Sequence, residues 1–107
     1  MRIKGKKKDL GANFFQKAQE ELGYQYQGKD TKHLEEIDPL KLFKAIQQFT
    51  LGLYFKPFTP SAFLYRGIAK YYLGHKTSAL KDINKALELK PEYEAANDWI
   101  KIIIESD

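Results

Sequence analysis

The sequence predicts an all-α protein of five main helices, and three observations carry that reading. Apolar residues recur at helical rather than alternating spacing along most of the 107 residues. Glycine and proline punctuate those stretches, at Gly23, Pro39, Pro57, Pro60, Gly74 and Pro91, where helices start or have just stopped. A pattern also returns after 34 residues: Ala45, Phe49, Gly52 and Pro57 are answered by Ala79, Ile83, Ala86 and Pro91.

Taken in order, the first helix is expected from Asp9 to about Tyr26, with Phe15, Ala18 and Leu22 on one face, Phe14 beside them and a turn at Gly23. Asp38-Pro39 starts the next, aspartate as N-cap and proline at the first helical position. It runs to Phe55 and is expected to bury Leu42, Phe43, Ile46, Phe49 and Leu53, with Gly52 permitting a close helix approach. Two short helices follow, Ser61–Leu73 and Thr77–Leu89, joined at Leu73-Gly74-His75. Gly67, Ala69, Ala79 and Ala86 let those two backbones approach, while Phe63, Leu73, Ile83 and Leu87 fill the gaps. The last segment, Glu92–Asp107, reads as a capping helix whose apolar side, from Ala95 to Ile104, spans an arc of about 200°.

The stretch GIAKYYLG resembles the first-helix motif of a tetratricopeptide repeat, through Gly67, Ala69 and Leu73-Gly74. ALKDINKALELKP resembles the second, through Ala79, Ile83, Ala86, Leu87 and Pro91. Lys70 departs from the pattern, which usually has an aromatic there. The resemblance implies antiparallel helix pairs stacked in a right-handed superhelix: repeat one over about 9–59, repeat two over 60–91, and a cap over 92–107. Gly74 and Ala79 are five residues apart, whereas Gly23 and Ala45 are twenty-two apart, so about seventeen residues near Tyr24–Pro39 are inserted in repeat one. Thr31–Ile37 is expected to form a short helix there. A functional insertion and a plain surface excursion are weighed equally.

Composition bounds the function. At this length the chain buries one core, and aromatics, 14% of residues, supply large side chains for it. The absence of cysteine excludes disulfides and thiolate metal sites. No apolar run reaches spanning length and none follows the basic N-terminus as a signal peptide would, so a cytoplasmic location is expected. The net charge of +4 is mostly a tail. Five of eighteen Lys and Arg lie in Met1–Lys8, leaving thirteen against fourteen acidic residues. That tail is either a solvated end or an arm for acidic partners, and nucleic acid is not the expected ligand because the tail lacks aromatics for base stacking.

No enzymatic chemistry is expected. His33 and His75 lack ligand spacing, the adjacent pairs Glu20-Glu21 and Glu35-Glu36 diverge on a helix, and no phosphate loop or nucleophile elbow is present. No metal or cofactor is expected. The resemblance implies instead a protein-interaction module, an adaptor, scaffold or co-chaperone-like protein, holding a peptide in a groove lined by the first helix of each repeat. Its groove residues would be Asn13, Phe14 and Lys17 from repeat one and Leu64, Tyr65, Ile68, Tyr71 and Tyr72 from repeat two. The carboxylate clamp of one chaperone-binding subfamily is not expected, because Ala12 and Tyr65 stand where its asparagine and arginine would be. The alternative is a structural protein that dimerises through its terminal helix, with Trp99, Ile102 and Ile104 as secondary contacts.

Overall fold

A computed structural model describes residues 9–23 and 35–106. They form five α-helices and no strand: α1 Leu10–Leu22, α2 Pro39–Phe55, α3 Pro60–Tyr72, α4 Lys76–Leu89 and α5 Glu94–Glu105. The basic tail and most of the expected insertion helix lie outside the described residues.

Local chemistry sets the helix ends. Asp9 accepts the Ala12 N–H at 3.0 Å and caps α1; Asp38 accepts the Leu40 N–H at 2.9 Å and caps α2. The first helix stops at Leu22, short of Tyr26, because Gly23 turns away with φ of 100°. At the end of α3, Gly74 adopts φ of 91°, its N–H bonds to the Tyr71 carbonyl at 2.9 Å, and the His75 N–H reaches back to Lys70 at 2.8 Å. This paired closure satisfies the last carbonyls and reverses the chain into α4. α5 begins at Glu94 rather than Glu92, since Pro91-Glu92-Tyr93 forms the turn, closed by the Tyr93 N–H on the Lys90 carbonyl.

Two antiparallel pairs, α1 with α2 and α3 with α4, pack side by side, and α5 closes the far side against α4 and α3. Glycine permits both close approaches. Gly52 faces the Gly11 carbonyl and Phe15, and Gly67 faces Ile83 and the Ala79 carbonyl. Ala18, Leu22, Leu42, Ala45, Phe49, Leu64, Ile68, Ala69, Ala79, Ile83, Ala86, Trp99 and Ile103 are among the members of one continuous core. The elements themselves keep the 34-residue spacing. α2 and α4 end that far apart, at Phe55 and Leu89, and α3 and α5 begin that far apart, at Pro60 and Glu94. The residues after those ends, Lys56 and Lys90, share similar backbone angles, φ −130° and −142° with ψ 73° and 86°, and their N–H groups donate to the Gly52 and Ala86 carbonyls.

One expected core residue is outside it. Phe43 is 50% exposed, because one step of 100° from buried Leu42 carries it round towards the outer side of α2.

Candidate partner-binding surface

The side chains expected to line a groove divide into three groups. Leu64 and Ile68 are fully buried and belong to the core, so they offer nothing to a partner. Their burial follows from the position of α3, which packs on α2, α4 and α5 and is left with little outer face.

Tyr65, Tyr71 and Tyr72 are half-buried. Tyr65 lies 6.4 Å from the Phe49 ring, and burial raises its phenol above the ordinary value of 10.0. Tyr93 is pushed up by its own burial and by Tyr65. Tyr71 and Tyr72 meet each other edge to face at 5.1 Å, and each meets Trp99 at 6.1 and 6.2 Å. Trp99 is therefore a buried support rather than a contact surface, while Ile102 and Ile104 are exposed. The two tyrosines border an open cleft of about 430 Å³ with Glu35, Gly74, Lys76 and Ser106. The Lys76 ammonium donates to the Ser106 carbonyl at 2.7 Å, which ties the start of α4 to the end of α5 below that cleft.

Asn13, Phe14 and Lys17 sit on the outer side of α1. They line a separate cleft of about 310 Å³ with Leu10, Gln16 and Glu20. Phe14 stacks on Phe55 at 5.9 Å, so the α1 group leans towards the end of α2 and away from the Tyr71–Tyr72 cleft.

Two features escaped the sequence reading. Asp82 lies beside Gly67 and receives a two-pronged bond from Arg66, at 2.8 and 2.7 Å, with the Lys70 ammonium 3.0 Å away. Arg66 also donates to the Thr50 hydroxyl at 3.1 Å, so the network joins α2, α3 and α4. Its signal was an aspartate between Ala79, Ile83 and Ala86 on the packing face of α4, with Arg66 and Lys70 one turn apart on the facing helix. Lys70 is thus held by charge where the resemblance leads one to expect an aromatic. The second is an apolar stripe on the outer face of α2, formed by Leu40, Phe43, Leu51 and Tyr54. Among the described residues no group of three or more His, Asp or Glu could hold a metal ion, and no helix is long and apolar enough to cross a membrane.

Comparison with protein-family models, with curated proteins and with solved structures gave no match to this chain.

Proposed function

We propose that the chain is a tetratricopeptide-like interaction module, an adaptor or scaffold that holds a peptide segment of a partner protein against the tyrosine-bearing side of α3. The observation that carries this reading is the pair Tyr71 and Tyr72, fixed edge-on against buried Trp99 at the rim of an open cleft. Aromatic rings already held in place lose little freedom on binding, and such rings commonly dominate interface energies. Support for the repeat assignment comes from the 34-residue spacing of the helix ends and from the approach of Gly67 to the Ala79 carbonyl. A right-handed superhelical stack, with α5 as its cap, belongs to the same proposal, as does the absence of catalysis.

The test is selection of random short peptides on the immobilised protein. Enriched peptides should carry apolar or aromatic anchors, and Tyr72→Ala should weaken their binding at least about tenfold with helicity intact. Deleting Met1–Lys8 should leave it unchanged at moderate salt. Peptides that survive Tyr71→Ala and Tyr72→Ala but are lost with the tail would overturn the reading. A second reading, self-association through α5, draws on exposed Ile102 and Ile104.

A further inference from the structure

α2 is apolar on two opposite faces. Leu42, Ala45, Phe49, Gly52 and Leu53 turn inwards, whereas Leu40, Phe43, Leu51 and Tyr54 remain 55%, 50%, 44% and 81% exposed. With Gln47 these four fall in an arc of about 80° at 100° per residue, a single narrow seam. Roughly 400 Å² of side-chain surface is open along it, within the range of the largest apolar patch on a monomer, which is often functional.

We propose that this seam is a homodimer interface, in which α2 packs antiparallel against α2 of a second copy about a two-fold axis at Gln47. The argument is self-complementarity, which a two-fold interface requires. Reversing the helix about Gln47 carries Leu40 onto Tyr54 and Phe43 onto Leu51, so each apolar group meets an apolar group. Gln47 meets its own copy, and a side-chain amide carries both the donor and the acceptor that such a meeting needs. A cleft of about 430 Å³ beside Leu51, lined by Ile46, Gln47, Gln48 and Thr50, lies where the partner's Phe43 would insert as a knob.

Charge selects the antiparallel sense. The exposed lysines of α2, Lys41 and Lys44, sit in its N-terminal half, and the helix has no acidic residue. Parallel packing would set each lysine beside its copy. Antiparallel packing moves Lys44 about 9 Å along the axis from its copy and towards the negative end of the partner helix. The seam supplies about half of the ~800 Å² that each partner buries in an interface of standard size. Exposed Gln47 lies within it and exposed Lys44 flanks it.

The full chain should sediment as a dimer, and Phe43→Glu should raise the dissociation constant about a hundredfold or more with unchanged helicity, since each carboxylate would be buried without a partner. Because the chain has no cysteine, introduced thiols report the register. Gln47→Cys should oxidise to a covalent dimer. Leu40→Cys alone should not, because its copy lies about 21 Å away along the axis, whereas Leu40→Cys combined with Tyr54→Cys should. A wild-type monomer at every concentration, a dimer indifferent to Phe43→Glu, or Leu40→Cys linking as fast as Gln47→Cys would each overturn the proposal. So would a dimer split by Ile104→Glu and untouched by Phe43→Glu.

Discussion

Adding one methyl group at Gly67 should destabilise the protein although it makes α3 a better helix. Alanine is favoured over glycine in a helix interior by about 1 kcal/mol. Against that gain, a Cβ at Gly67 would lie 2.7 Å from Cγ1 of Ile83, 3.0 Å from the Ala79 carbonyl oxygen and 3.3 Å from Cβ of Asp82. Ile83 and Ala79 are fully buried, and the carbonyl is backbone, so relief requires α3 and α4 to move apart. Overpacking of this kind costs about 1–3 kcal/mol, which leaves Gly67→Ala a net loss of about 1 kcal/mol. For a chain of this size that lowers the melting temperature by about 4–8 °C. Gly11→Ala is the control. Its new Cβ would press on Cγ and Cδ of Lys56, so that side chain must rotate and loosen its surface ion pair with Asp9, a small loss that offsets the helix preference of alanine. The nearest backbone atom, the Gly52 carbonyl oxygen, stays at 3.4 Å. Its stability should stay within about 0.5 kcal/mol of the parent. Urea denaturation followed by circular dichroism reads both, through the midpoint at constant slope. A Gly67→Ala protein as stable as the parent, or a Gly11→Ala protein that loses as much, would refute the assignment of Gly67 to a rigid contact.

Other perturbations probe the remaining contacts. Asp82→Ala strands Arg66 and Lys70, whose side chains are only 16% and 17% exposed, and should cost about 2–3 kcal/mol in the same denaturation assay, somewhat less than for a fully buried pair. Trp99→Ala removes the support of Tyr71 and Tyr72 and should cost about 3–5 kcal/mol, with protection of α5 amides lost first in hydrogen exchange. Folding raises the Tyr65 phenol, so its contribution is complete below the unfolded value near 10.0 and is lost as pH rises through the folded one; Tyr65→Phe should flatten the alkaline limb of a stability–pH curve. Asp9 has the opposite sign. Its bonds from the Lys56 side chain and the Ala12 N–H hold it below 3.8, so its contribution is present above that value and lost as pH falls through the lower folded one. Lys56→Met should move the Asp9 titration, followed by NMR, back up.

Helix ends were legible in the sequence because they depend on near neighbours. Asp38-Pro39 placed the start of α2 to the residue, and Gly74 placed the turn between α3 and α4. Small residues at Gly67, Ala79 and Ala86 were legible as packing positions for the same reason. Groove residues were not, because exposure on a helix depends on how many neighbours surround it. α3 has three, so Leu64 and Ile68 went to the core while Tyr71 and Tyr72 kept an open edge. Phe43 was misplaced by the assumption that a helix has one apolar face, which α2 does not obey. The Arg66–Asp82–Lys70 network needs two helices in register before it exists at all.

The 34-residue spacing pairs each residue of α3 with one of α5. Ala62 and Ala69 correspond to Ala96 and Ile103, and all four are buried, so the two helices present the same inner side. Elsewhere they differ in chemistry. Where α3 has Gly67 against the Ala79 carbonyl, α5 has exposed Lys101, whose long charged side chain forbids so close a backbone approach. Where α3 has buried Leu64, α5 has exposed Asp98. This side of α5 is thus more polar than the side on which α3 receives α4, which fits the proposed role of α5 as a cap. Ile102 and Ile104 remain exposed, but they stand two residues apart and so about 160° apart around the helix, with no shared face between them. An apolar pair split in that way offers a second chain a less continuous surface than the α2 seam does. The four residues of α2 lie within half that arc, so the proposed homodimer is placed on the α2 seam ahead of the α5 surface.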